Sequence, residues 1–292
     1  MPGFLRQFLT WLITLLSTGA TALLGPPEAP VIVPKDDVRA QEITVVSYNV
    51  YTNTDTLSQR MDGVIQTILG EEPDSFGLQE AHESWRFPLW WKLRKTYGIA
   101  CWQGRYFGLE EATPIFYNKA RYKLVKQGVF WLSDRPNLPT FGWDAALPRV
   151  AGYAVLKDKR TGFTYVHVNS HFDHKGATAR ANSARLIAEK INAMGLPAVF
   201  TADINARPNT LPPQYLEAGG LLDLREIAPG ADTDGTFHGY GPEAFASVID
   251  YIYANHYLRS PETASFRVIR DKYDGMYPSD HFAVAAAFTL AN

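Results

Sequence analysis

Nine polar residues share one kind of position in this chain. Asn49 closes the run VVSYN, and Glu80 closes FGLQE. His171 and Asp173 follow YVHVNS, and Asp203 and Asn205 follow AVFTA. Asp250 lies within SVIDYIY, and Asp280 and His281 lead into FAVAAAF. A carboxylate at the end of a buried run costs several kcal/mol unless something balances its charge. A hard divalent cation does so, since it takes oxygen ligands and is held by one or two carboxylates. Glu80 is the first candidate ligand, with Asn49 assisting from a neighbouring strand. Two histidines without clustered cysteines or an HExxH pattern argue against a dedicated zinc site.

These residue types suit attack of water on a phosphoester. The cation neutralises phosphate oxygens. Asp203, beside Asn205, orients and deprotonates the water. His281 contacts the phosphate or acts as base, with Asp280 or another carboxylate fixing its tautomer. His171 donates to a non-bridging oxygen.

Such residues act together only if their elements end at one place. Ile43 to Val50, DSFGLQEA, Pro114 to Tyr117 and Leu124 to Leu132 read as strands. So do Ala198 to Ala202, Val248 to Ala254, Phe266 to Arg270 and Phe282 to Leu290. Arg149 to Leu156 and Thr164 to Ser170 flank the charged turn KDKRTG and read as a hairpin. Leu57 to Leu69 and Ala177 to Ala193 carry apolar residues at helical spacing, and tryptophan-rich Trp85 to Tyr97 is helical in pattern. Strands and helices without strict alternation imply an α/β four-layered sandwich. Its two mixed, mostly antiparallel sheets pack face to face, with helices on the outer faces. Loops from one end of such a sandwich converge.

In this order, SYNV, LQE, NSHFDH, ADIN, IDYI and SDH resemble the endonuclease/exonuclease/phosphatase superfamily, from about Ile43 to the C-terminus. PIFY, FWLSDRPNLPTFGWDAALPR, DGTFHGY and YDGMYPSDHF are similar to a bacterial branch of metal-dependent hydrolases within it. The resemblance implies the four-layered fold and dependence on Mg²⁺ or Mn²⁺. It implies that Glu80 binds metal with support from Asn49, that Asp203 positions the water and that Asn205 orients the phosphate. His171 and His281 would flank the phosphate, Asp280 would hold His281, and Asp250 and Asp173 would support the site. The chain departs from the family's Gly-Asp-Phe-Asn at Ala202-Asp203-Ile204-Asn205. It also has Val248 where an arginine is usual.

The 292 residues are 46% hydrophobic and 20% charged, as in a folded globular protein. The net charge of −2 gives no broad attraction to a polyanion. That tilts the expected substrate from long duplex DNA toward a smaller or single-stranded phosphoester: a nucleotide, a sugar phosphate, a lipid headgroup or nucleic acid. A secreted nuclease acting on DNA or RNA and a non-catalytic binding module on the same fold are the rival readings. No obligate protein partner is implied. The single cysteine, Cys101, reads as a small buried hydrophobe.

Arg6, the apolar run Phe8 to Leu24 and Ala20-Thr21-Ala22 give residues 1–24 the form of an export signal or a retained membrane anchor. Residues 25–41 then form a linker and residues 42–292 the catalytic domain. The protein is expected to be periplasmic or secreted, with membrane contact through residues 8–24 if the segment is kept. His167 and His174 read as structural. Tryptophans such as Trp102, Trp131 and Trp143 have faces that could line a substrate cleft, while most of the seven read as core. Arg105, Glu111, Arg135 and Arg149 read as solvated loop charges, though an arginine there can grip phosphate.

Overall fold

The computed structural model describes residues 39–102, 104–106, 109–243 and 246–292. The expected leader at residues 1–24 lies outside them, as does the Arg105 side chain. Fifteen described strands run β1 (Ala40–Asn49), β2 (Ser75–Gln79), β3 (Tyr97–Ala100), β4 (Gly104–Tyr106), β5 (Leu109–Ala112), β6 (Ile115–Asn118), β7 (Tyr122–Trp131), β8 (Val150–Asp158), β9 (Thr164–His171), β10 (Ala198–Asp203), β11 (Leu221–Asp223), β12 (Asp250–Asn255), β13 (Leu258–Arg259), β14 (Ser265–Ile269) and β15 (Ala283–Ala291). The described helices are α1 (Leu57–Leu69), α2 (Glu83–Leu93), α3 (Ala177–Met194), α4 (Leu211–Ala218) and the single turn α5 (Leu224–Ile227).

A seven-stranded sheet has the order β13-β15-β1-β2-β6-β3, with β14 also on β15, and a six-stranded sheet has the order β11-β12-β10-β9-β8-β7. β1 and β2 are parallel, as are β9 and β10, and the other pairs are antiparallel. The mixed, mostly antiparallel sandwich expected from the sequence is the fold observed.

Alternation along each strand sorts the residues. Ile43 and Val45 of β1 join Tyr165, Val199 and Ile252 in a core shared by both sheets. Val46 and Tyr48 face the other way and pack with Val64 and Ile68 of α1 and Trp85 and Leu89 of α2. Each such side chain, fully buried, stabilises the fold by roughly 1.5–3 kcal/mol.

Along the inner face the chemistry changes toward one end. On β1, Ile43 and Val45 give way to Ser47 and Asn49. On β9, Tyr165 gives way to His167, Asn169 and His171, and on β10 Val199 gives way to Thr201 and Asp203. The middle of this gradient is a buried hydrogen-bonded layer. His167 meets Ser75 Oγ through Nδ1 (2.7 Å) and Thr201 Oγ1 through Nε2 (2.8 Å). Gln79 Nε2 donates to Asn169 Oδ1 (2.7 Å). Gly77 lets the sheets close on this layer, because a Cβ there would lie 2.3 Å from Thr201 Oγ1.

Two boundaries differ from the sequence reading. The second helix ends at Leu93, and Tyr97 instead opens β3, where its ring meets Phe76 edge-on and its hydroxyl donates to Pro73 O. β12 starts at Asp250 rather than Val248, because Thr236 Oγ1 takes the N–H groups of Ile249 and Asp250.

Candidate active site

Strand direction explains the convergence. β1, β2, β9 and β10 end where Asn49, Glu80, His171 and Asp203 stand. β12 and β15 run antiparallel to β10 and β1, so Asp250 and His281 lie at or beside their beginnings, at the same end of the sandwich. Asp203, Asp250 and His281 each place a ligand atom within 4.8 Å of the others, a buried group that can hold a metal.

Asp203 is the hub. Its Oδ2 accepts from Asn49 Nδ2 (3.0 Å) and its Oδ1 from the Asn205 N–H (2.8 Å). His171 Nε2 lies 3.4 Å and His281 Nε2 3.9 Å from Asp203 Oδ2. Asn205 Nδ2 is 2.9 Å from His171 Nε2 and donates to Phe172 O (3.1 Å). Burial raises the Asp203 pKa; the charge of His171 opposes the rise, Asp250 adds to it and His281 opposes it.

Each imidazole is backed by a carboxylate. His281 Nδ1 meets Asp250 Oδ2 at 2.9 Å. Burial alone would lower the pKa of His281, but Asp250, then Asp203 and Asp280, raise it to about 10. This corrects the expectation that Asp280 holds His281. Asp280 acts on His281 only through its charge, behind Asp250 and Asp203. Burial pushes the Asp280 carboxyl up to about 6; His281 opposes that rise and Glu80 reinforces it.

The second backing carboxylate is Glu111, which the sequence reading left among solvated loop charges. It is buried, with Oε1 2.5 Å from His171 Nδ1 and 3.2 Å from Arg149 Nη1. Arg149 is buried too and lies 3.6 Å from Asp173. Neither residue is a solvated charge. Glu111 closes FGLEE just as Glu80 closes FGLQE, so the same signal stood in the sequence and was passed over. Asp173 holds the neighbouring loops. Burial would raise its pKa, but the N–H groups of Gly176, Ala146 and Lys175 and the charge of Arg149 keep it at about 2.

On the other side Glu80 accepts from Asn49 Nδ2 (3.2 Å) and from the Thr52 N–H (2.8 Å). Asn49 therefore bridges Glu80 and Asp203, while its Oδ1 takes the Tyr51 N–H (3.0 Å). Glu80 and Asp280 are neighbouring carboxylates whose charges repel each other, while the Asn49 amide nitrogen donates to Glu80. That is the arrangement a hard cation stabilises, and these residues fit one. Tyr51, Glu80 and Asn205 hold left-handed backbone, with φ of 59°, 57° and 48°. Such conformations are strained for most side chains and gather at functional sites.

The sequence pattern of the Endonuclease/Exonuclease/phosphatase family matches residues 46–281. The chain belongs to this family. No curated protein matches it in a sequence search. Among solved structures, an endonuclease/exonuclease/phosphatase family protein from Bacteroides thetaiotaomicron is 31% identical, with a TM-score of 0.78, covering 86% of this chain and 99% of its own. A mannosyl-6-phosphatase from the same organism is 31% identical, with a TM-score of 0.76, covering 84% and 98%. Truncated Caenorhabditis elegans TDP2, at 20% identity and a TM-score of 0.65 over 85% and 97%, shares the fold. Endonuclease/exonuclease/phosphatase proteins typically use a divalent metal to act on phosphoesters, and the buried group around Asp203 is compatible with that chemistry.

Proposed function

We propose that this endonuclease/exonuclease/phosphatase protein is a divalent-metal-dependent phosphoester hydrolase acting on small phosphoesters, sugar phosphates foremost. The observation that carries the reading is Asp203 Oδ2 flanked by the Nε2 atoms of two imidazoles, each backed by a buried carboxylate. Asp203 takes the proton of the attacking water, and burial, by raising its pKa, makes it a better base. The water oxygen forms the new bond to phosphorus as the bond to the leaving oxygen breaks. Asn205 and His171 donate to non-bridging oxygens. His281, protonated against Asp250, donates from Nε2 to the phosphate and supplies a proton to the leaving oxygen. Mg²⁺ or Mn²⁺ held by Glu80, with Asn49 steadying that carboxylate and Asp280 beside it, would neutralise the phosphate charge.

Two further observations support a small substrate. The net charge is −2, unlike that of a protein gripping a long polyanion. A 31%-identical structure is named a mannosyl-6-phosphatase. The test is a substrate screen after chelation, with Mg²⁺, Mn²⁺ or Ca²⁺ added back. Hexose 6-phosphates should be hydrolysed faster than nucleotides, single-stranded DNA or plasmid, and not at all in EDTA. Faster plasmid nicking would replace this reading with the nuclease one. No hydrolysis with any metal would leave a binding module. We also place the enzyme outside the cytoplasm, on the form of residues 1–24; fractionation of C-terminally tagged protein tests this, and a wholly cytoplasmic signal refutes it.

A further inference from the structure

A second concavity adjoins the chain just after Glu80. α2 turns Trp85, Leu89 and Leu93 into the core and leaves Phe87, Trp90 and Trp91 outside, 66%, 43% and 53% exposed. Leaving such rings in water forgoes the stabilisation that burial would give them. Phe87 and Trp90 form one wall of a cavity of about 650 Å³, and Trp102 another. Glu83, Arg86 and Gln127 supply its polar edge. The Arg86 guanidinium lies 5.9 Å from the Trp102 ring centroid. Glu83 Oε2 and Trp102 Nε1 are enclosed with no hydrogen-bond partner among the described residues, one an acceptor and the other a donor.

The cavity lies at the catalytic end. β2 and β3 both pair antiparallel with β6, so they run in the same direction. Trp102 therefore follows β3 at the end of the sheet where Glu80 follows β2. Glu83 is three residues from Glu80, so their Cα atoms are at most roughly 11 Å apart. That is the span of one or two sugar rings.

We propose that this cavity binds the sugar portion of a phosphorylated glycan whose phosphate lies over Asp203. The proposal rests on the phosphoesterase reading and names its substrate class. A pyranose has an apolar C–H face and a rim of hydroxyls. Trp90 and Trp102 cover the face. Glu83 accepts from hydroxyls, and Trp102 Nε1, Arg86 and the Gln127 amide donate to them. Glu83 offsets the charge of Arg86, which favours a neutral ring. A nucleobase would use the aromatic faces but would leave most of the hydroxyl-binding edge unmatched.

The test uses the full chain and the variants Trp90→Ala and Glu83→Gln. Neither residue belongs to the catalytic group, and Trp90 lies at the surface. Tryptophan fluorescence in EDTA is titrated with methyl α-mannopyranoside and with mannobiose, both unphosphorylated. A saturable change is expected, weakened about tenfold in either variant, as for loss of a hydrogen bond to a charged group or of a stacking face. With metal, both variants should raise KM for phosphorylated mannobiose about tenfold and leave hydrolysis of ethyl phosphate unchanged. Absence of saturable sugar binding overturns the proposal, as does tighter binding of adenosine monophosphate than of mannobiose. If neutral sugar binds but no phosphoester is hydrolysed, the phosphoesterase reading fails and the cavity assignment stands. If sugar phosphates are hydrolysed with unchanged KM in both variants, the cavity assignment alone fails.

Discussion

The two sheets meet at one site and contribute different things to it. The seven-stranded sheet and its loops bring Glu80 and Asp280, carboxylates whose mutual repulsion suits a cation, and Asn49, whose amide steadies Glu80. The six-stranded sheet brings Asp203 with His171 and Asn205 against it, and Asp250, which backs His281. His281 precedes a strand of the first sheet and bonds to Asp250 of the second. On the mechanism proposed above, charge neutralisation and proton handling fall on separable elements, and a metal held instead by Asp203, Asp250 and His281 would merge them. Excess cation should repair defects on the first sheet and leave defects on the second uncorrected.

Asp203→Asn should show the largest effect. It removes the base at the hub, so turnover should fall at least about 100-fold, and no metal concentration should restore it. The melting temperature should hold or rise, since a buried charge has been removed. Full activity in this variant would end the assignment of Asp203.

Glu80→Gln should act through the cation. Loss of one carboxylate should weaken Mg²⁺ binding about 10- to 100-fold, with most turnover regained at saturating metal. Calorimetry showing unchanged Mg²⁺ affinity would remove Glu80 from the ligand set. Recovery of Asp203→Asn by metal, or failure of Glu80→Gln to recover, would erase the division between the sheets.

Glu111→Gln tests the backing of His171. The glutamine keeps a hydrogen bond to Nδ1 and loses the charge shared with Arg149, so turnover should fall about tenfold, with metal affinity unchanged. A shifted metal requirement would place Glu111 in the cation half instead.

The last expected effect is on stability and not on turnover, and lies in the buried layer beneath the site. Burial lowers the His167 pKa from 6.5 to about 3. The folded protein holds this ring neutral, while the unfolded chain binds a proton below pH 6.5. The stability contribution is thus present above pH 6.5 and is lost as pH falls from 6.5 toward 3, at up to about 1.4 kcal/mol per pH unit. Urea midpoints measured from pH 7 to 4 should fall less steeply for His167→Gln than for the parent chain. Parallel curves would rule out this origin of acid sensitivity.

Residues that ended an apolar run were legible in the sequence because a strand delivers its last side chains to the rim of the sheet. Asn49, Glu80, His171 and Asp203 were legible in that way, together with the sandwich that aligns them. Pairings were harder to read. Asp280 adjoins His281 in the chain, but the partner of that imidazole came from a strand 31 residues away. Glu111 follows Phe-Gly-Leu as Glu80 does, but its link to His171 spans 60 residues. Only packing of the folded sheets brings those two together.

Left-handed backbone at Tyr51, Glu80 and Asn205 sets the working end of this molecule against its own durability. Of the three, only Asn205 is a residue type that accepts such backbone readily. Glycine at position 80 would relieve roughly 1–2 kcal/mol of steric opposition. A laboratory lineage bred only to survive heat would therefore drift toward Gly or Asn at that position. Its hardiest descendants would work only where metal is plentiful.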